Sequence, residues 1–339
     1  MPWNEEQMKV ASELYPQLGE AVMATLGQNF SSDFADTIAN YYDEEAGRAV
    51  IRNRNGNATT TAKSKDIKVS KQLSGDDIYS RPNGETYKAR KWGMSEHQDV
   101  QVLRTARDNS QYVLLYGAPG TGKTALVEAS FGEDLYTILG TGDTEVADFV
   151  GGYIQTPGGS FEWQDGVLVK AAEEGKVLLI DEIGLIDPKV LSVVYGLIDG
   201  RKELVVTANP ERGVVKAQEG FYVVAATNPN APGVVLSEAI LSRFLVQAEM
   251  TTDWKIAREL GVPSVLITAA QNLSQKFESD EVSWCPQMRE VLAFRDLEKT
   301  FGTDFAVQNL LASAPELDRP VVASVLSRAF AKEYKPARI

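Results

Sequence analysis

Residues 117–124 read Gly-Ala-Pro-Gly-Thr-Gly-Lys-Thr, and the segments on either side restrict what this octapeptide can become. An apolar run from Tyr112 to Tyr116 leads in with the character of a strand, and Thr124 to Phe131 leads out as a helix. The octapeptide fits the G-x-x-x-x-G-K-[ST] pattern of a loop that wraps a polyphosphate. Such a loop must bring bare backbone N–H groups to its ligand, and a Cβ at Gly117, Gly120 or Gly122 would obstruct that approach. Lys123 then reaches the terminal phosphates, the Thr124 hydroxyl ligates Mg²⁺, and the helix starting near Gly122 adds its positive dipole end. Gly117, Ala118, Pro119, Gly120, Thr121, Gly122, Lys123 and Thr124 are therefore the candidate nucleotide-binding residues, with ATP and Mg²⁺ as the expected cofactors.

From about residue 95 strand and helix patterns alternate, which implies a parallel sheet covered on both faces. The expected strands are 112–116, 135–139, 176–181, 221–226 and 244–249. After Thr252 only helical patterns remain, broken at Gly261-Val262-Pro263, Cys285-Pro286, Phe301-Gly302 and Ala314-Pro315. The expected fold is α/β, a five-stranded parallel P-loop sheet with helices on both faces, a C-terminal helical lid and an N-terminal helical region. The expected boundaries are 1–50 for the N-terminal helices, 51–94 for a basic linker or adaptor, 95–250 for the α/β domain and 251–339 for the lid.

Charge supports the first of these boundaries. The chain carries a net −13 over its 339 residues, which argues against a protein that coats nucleic acid all over. Residues 1–47 hold nine acids and one base, whereas residues 48–91 hold eleven bases and four acids. Leu14, Leu18, Val22 and Leu26 share one helical face within the acidic part. The polar stretch 52–66 reads as a flexible loop. One cysteine, Cys285, and one histidine, His97, leave no disulfide and little for zinc chemistry or a histidine-based triad. No apolar run is long enough to span a membrane and the first residues form no secretion leader, so a cytoplasmic location is expected.

A second element suits the phosphate loop. Residues 176–183, Lys-Val-Leu-Leu-Ile-Asp-Glu-Ile, read as a buried central strand that delivers two acids to the carboxyl edge of the sheet, where ligands of open α/β folds bind. Asp181 would hold the Mg²⁺ shell, and Glu182 would orient or deprotonate the attacking water. A third apolar strand ends in Thr227-Asn228-Pro229, which puts an amide at the same edge; Asn-Pro is also an ordinary turn pair.

With these motifs in order, and with Leu-Ser-Glu-Ala-Ile-Leu-Ser-Arg-Phe at 236–244, the chain resembles an AAA+ ATPase. More narrowly it is similar to the MoxR/CbbQ branch and its dynein- and midasin-related cousins. The discriminating stretches are Thr144 to Tyr153 and Phe161 to Ala171, which resemble the helix-2 insert of that branch. Residues 204–207 and 213–216 resemble the hairpin before sensor 1. The resemblance implies Walker A at Gly117–Thr124, Walker B at Asp181 and Glu182, and sensor 1 at Asn228. It also implies an arginine finger at Arg243 and a sensor 2 arginine at Arg289, with Arg295 as competitor. It implies a homo-oligomeric, hexameric ring acting on a protein client, in this branch often a von Willebrand A-type domain protein. An alternative client is DNA or RNA, gripped by the basic 48–91 segment and its Tyr79, Tyr87 and nearby Trp92. The expected role of residues 1–90 is that of an adaptor. Trp163 and Phe161 read as packing residues of a hairpin, with client contact as the alternative. His97 and Gln98 stand where they would lie near an adenine or on a helix surface.

Overall fold

The computed structural model describes residues 77–336, with the backbone of two short antiparallel pairs upstream, Tyr42–Asp43 with Arg48–Ala49 and Ile51–Arg52 with Ala58–Thr59. The expected helices of 1–50 and most of the basic stretch 51–94 otherwise lie outside the described residues.

The described part opens with a hairpin, β1 (Ile78–Ser80) and β2 (Thr86–Lys88), followed by helix α1 (Asp99–Asp108). Then come β3 (Val113–Tyr116), α2 (Lys123–Phe131), β4 (Leu135–Leu139) and the short helix α3 (Val146–Val150). A second hairpin, β5 (Gly151–Gln155) and β6 (Phe161–Asp165), separates α3 from α4 (Val167–Glu174). The acid strand β7 (Val177–Asp181) leads to α5 (Pro188–Ile198) and to a third hairpin, β8 (Glu203–Val205) with β9 (Val214–Lys216). The strand β10 (Tyr222–Thr227), the short helix α6 (Glu238–Leu241) and β11 (Val246–Glu249) complete this part.

Five of these strands form one all-parallel sheet in the order β11-β3-β10-β7-β4. The sequence pattern explains the order of burial. Val177–Ile180 and Tyr222–Thr227 are buried throughout, as strands covered on both faces must be, and their sequences are continuous apolar runs. The edge strand β11 alternates partly buried and exposed positions, with Gln247 and Glu249 in its sequence. This is the expected five-stranded sheet, each strand within two residues of its predicted bounds.

The expected start of the α/β domain at residue 95 is too late. Tyr87 and Ala89 are buried members of its core, and Arg81 reaches Glu128 of α2 with a 2.7 Å ion pair. The β1–β2 hairpin is too short to bury its own tyrosine, so it packs on α2 and becomes part of the domain. The pattern of Lys and Arg concealed this, because their charged ends stay at the surface while the residues between them turn inward.

The chain then forms a second apolar core from five helices, α7 (Trp254–Glu259), α8 (Ser264–Glu278), α9 (Met288–Phe301), α10 (Thr303–Ser313) and α11 (Arg319–Ala329). The breaks fall at the expected Gly and Pro pairs. Asp253 caps α7 by accepting from the backbone N–H of Lys255 and Ile256, and Gln287 with Glu290 forms a capping box at the start of α9. Cys285 is buried in this core and its thiol is pushed up to about 11 by burial, which leaves it inert as a nucleophile at neutral pH.

Candidate functional site

The loop 117–122 leaves the carboxyl end of β3 with three of its glycines at positive φ, Gly117 at 141°, Gly120 at 81° and Gly122 at 98°. Besides freeing the backbone for a ligand, each glycine admits a neighbour. A Cβ on Gly117 would strike the Met250 carbonyl oxygen, one on Gly120 would lie 3.0 Å from Cβ of Arg289, and one on Gly122 would lie 2.8 Å from an Arg90 guanidinium nitrogen. The phosphate loop is thus enclosed by the end of β11, the start of α9 and the segment after β2.

Lys123 is 6% exposed, and its Nζ donates to the carbonyls of Gly117 at 2.9 Å and Ala118 at 3.0 Å. Burial pulls this ammonium below the usual lysine range, against the carboxylates of Glu182 and Asp181, which favour the cation. Another negative group in the loop would reinforce the charged form. Thr121 is buried and its hydroxyl donates to the Ala118 carbonyl at 3.0 Å, bracing the turn.

Strand β7 lies one strand removed from β3, with β10 between them, and its register sets Ile180 level with Ala225 and Leu114, so Asp181 stands at the same sheet edge from which the loop departs. Thr124 Oγ1 donates to Asp181 Oδ2 at 2.8 Å, across 57 residues of sequence. The other Asp181 oxygen accepts the Glu182 N–H at 3.1 Å. Glu182 has a left-handed backbone, φ 51° and ψ 43°, a conformation that costs a non-glycine residue about 1–3 kcal/mol. The result is that its Oε2 accepts the Asn228 N–H at the end of β10, at 3.1 Å. Asn228 meets Glu182 through its backbone; its side-chain oxygen accepts from the Asn230 N–H at 3.2 Å. The strand end therefore brings together Lys123, Thr124, Asp181, Glu182 and Asn228.

The three arginines are separated by the tertiary structure. Arg289 sits in the first turn of α9, and its backbone N–H donates to the Gly120 carbonyl at 3.1 Å. Arg295 turns away, with bonds to Asp296 at 2.7 Å and to the Leu260 carbonyl at 2.8 Å. Arg243 follows α6; its guanidinium stacks 4.2 Å above the Tyr195 ring of α5 and bonds the Ala239 carbonyl. None of these Arg243 contacts is to Lys123, Asp181 or Glu182.

The hairpin residues behave differently from one another. Trp163 is partly buried against the core, its indole N–H donates to Asp165 at 2.7 Å, and Tyr153 packs edge-on against it. Phe161, expected to pack, is 67% exposed. It lies two residues nearer the hairpin tip, on the same strand face as Trp163, where the core no longer covers it. Arg212, between β8 and β9, bonds Asp165 at 3.0 Å and Glu173 at 2.5 Å and so ties the two hairpin regions together. His97 is exposed in the turn before α1, and Gln98 accepts from the Tyr79 hydroxyl at 3.4 Å.

Two features carried no sequence signal. Thr227 Oγ1 and Arg90 Nε are, among the described residues, buried polar side-chain atoms without a hydrogen-bond partner. Arg90 lies within a basic run that reads as solvated surface, and Thr227 within an apolar strand.

A glycine-rich phosphate loop, a buried lysine and an acid pair on one edge of a parallel sheet define a P-loop nucleotide-binding protein. The profile of the AAA domain (dynein-related subfamily) matches residues 112–244. An uncharacterised Staphylococcus aureus protein is 33% identical over 201 residues, 55% of this chain and 74% of the relative. The uncharacterised Bacillus subtilis protein YojN is 36% identical over 142 residues, 40% of this chain and 46% of the relative. Midasin of Giardia intestinalis is 35% identical over 140 residues, 39% of this chain and 3% of that much longer protein. The chain belongs to the AAA domain family, in its dynein-related subfamily. It spans about half the length of some of the curated relatives it matches, 46% and 57% in two cases.

Proposed function

We propose that this chain is a Mg²⁺-dependent ATPase of the MoxR/CbbQ-like branch that works in a hexameric ring and remodels or activates a protein partner. The observation that carries the catalytic part is the pairing at one sheet edge of Thr124 with Asp181 at 2.8 Å and of Glu182 with the end of β10 at 3.1 Å. The residues fit both cofactors. The hydroxyl of Thr124 and the carboxylate of Asp181 are hard oxygen donors, and Mg²⁺ needs only one or two of these when phosphates and water complete its shell. Bound there, the ion would draw charge from the terminal phosphates.

The protein's own groups divide the remaining work. Gly117–Thr124 holds the polyphosphate, and Lys123 adds its charge there. Glu182 accepts a proton from the attacking water, held in place by the bond from Asn228. Arg289 reports the position of the helical lid, because its own backbone touches the loop. Arg243 serves the nucleotide of a neighbouring subunit. Wild-type protein should hydrolyse ATP only with Mg²⁺. Lys123→Ala should lose most of its nucleotide affinity by calorimetry, and ATP binding equal to wild type would contradict the assignment.

The client is a protein, and a von Willebrand A-type domain protein is the first candidate. Support comes from the β5–β6 hairpin, which lies between α3 and α4 and exposes Tyr153, Ile154 and Phe161. An adaptor deletion should stop at residue 76 and not at residue 90, because Tyr87 and Ala89 belong to the core. Such a deletion should leave basal hydrolysis and abolish client engagement. A cytoplasmic location remains the proposed one; among the described residues no helix is long and apolar enough to cross a membrane.

The nucleic-acid alternative loses support where its basic segment is described. Arg81 pairs with Glu85 and Glu128, Lys88 with Glu259 and Lys91 with Glu96. Oligonucleotide anisotropy at two salt concentrations should therefore show no steep salt dependence. Tight binding with a log–log slope of about −0.7 to −0.9 per phosphate contact, lost on charge reversal at Arg52, Arg54, Lys63 and Lys65, would restore the alternative.

A further inference from the structure

None of the roles proposed above falls to Arg90, yet its guanidinium joins two distant parts of the chain. One Nη donates to the Thr121 carbonyl in the phosphate loop at 2.8 Å, and the other to the Thr251 carbonyl at 3.0 Å. Thr251 follows Met250, the last core residue of the α/β part, and precedes the helices of the second core. The base of Arg90 is fixed as well. Its backbone N–H donates to Asp99 Oδ1 at 3.1 Å, while Asp99 Oδ2 accepts from the Tyr87 hydroxyl at 2.5 Å. The Tyr87 ring lies 5.8 Å from the guanidinium, within reach of a cation–π contact. A buried network thus holds one end of the arginine, and its other end bridges the loop to the connection.

What the Thr121 bond does follows from peptide geometry. The described chain has no cis peptide bond, so the Thr121 carbonyl and the Gly122 N–H point in opposite directions across one rigid plane. An arginine that holds the carbonyl also decides which way the N–H faces. Loop N–H groups beside a helix start are the donors that a polyphosphate uses. Gly122 makes this possible in a second way, because any Cβ there would crowd the Arg90 guanidinium at 2.8 Å. A surface arginine retained for solubility would need neither the bridge nor the buried, unpartnered Nε.

We propose that Arg90 is a positioning residue for phosphate binding, which sets the Thr121–Gly122 peptide with its N–H toward the phosphates and ties that setting to the connection at Thr251. The proposal rests on the nucleotide-binding reading of the site. It places the action of Arg90 on the phosphates, so a base-free polyphosphate should feel its loss as much as a nucleotide does.

The test compares ADP with inorganic tripolyphosphate on the full chain, by calorimetry in the presence of Mg²⁺. In Arg90→Ala both affinities should fall by the same factor, about tenfold for the loss of charge-assisted bonds, while the ligand-free protein still unfolds cooperatively at a somewhat lower midpoint. Arg90→Lys, a point charge in place of a fork, should recover only part of the loss. A loss for ADP alone would make Arg90 a contact on the base side and overturn the proposal. Unchanged affinities, or a drop in midpoint without a change in affinity, would overturn it too. If Arg90→Ala does not fold, the same titrations on Arg90→Lys decide between the same outcomes. Wild-type protein that binds neither probe would overturn the site reading itself, and this proposal with it.

Discussion

Replacing Arg243 with alanine should leave ATP binding intact and lower turnover by about 10³–10⁵-fold, the range an arginine finger supplies in phosphoryl transfer. The basis is where the side chain lies. It stacks on Tyr195 and bonds Ala239, both on the elements that follow the acid pair, and touches no group of its own phosphate loop. A cation held this way can act on a second subunit without reorganising its own site. Mixing Arg243→Ala with Glu182→Gln subunits should restore part of the activity, since each variant lacks a different half of a shared site. Full activity in a sample that is monomeric by light scattering would contradict the shared site.

Glu182→Gln should bind ATP as well as wild type and lose turnover by about 10²–10⁴-fold, the usual contribution of a positioned general base. The substitution is a sharp one here. The amide can still accept from the Asn228 N–H through its oxygen, so the left-handed backbone and the strand end keep their geometry. What it cannot do is take a proton from water. Single-turnover measurements separate the chemical step from release. Equal single-turnover rates in the variant and the wild type would remove Glu182 from the catalytic role.

The two predictions differ in what they ask of the fold. Glu182 depends on a strand register that one sheet sets, Asp181 and Thr227 ending adjacent parallel strands. Arg243 depends on a helix end that holds its guanidinium over Tyr195 and against the Ala239 carbonyl. Loss of the first should be insensitive to protein concentration, and loss of the second should be complemented only where subunits meet.

Much of this was legible from the chain alone. The octapeptide 117–124, the apolar run that ends in Asp181-Glu182 and the strand that ends in Asn228 are local patterns. A strand buried on both faces must be apolar throughout, and a loop that bends three times through positive φ must carry glycine. The helix breaks after residue 252 were equally local, since glycine and proline act on their own backbone.

Tertiary structure decided the rest. Arg289 and Arg295 sit on the same helix with competing claims in sequence, and only the packing of α9 against Gly120 separates them. Phe161 and Trp163 share a strand face by spacing, yet a neighbouring carboxylate and the core draw in only the tryptophan. The basic run hid both the true start of the domain and Arg90. Its bond to Thr251 spans 161 residues, and a contact of that kind leaves no periodicity behind it. Sequence patterns record what each segment requires of its own backbone and burial; which side chain meets a distant carbonyl is fixed only when the sheet and the helices close around the loop.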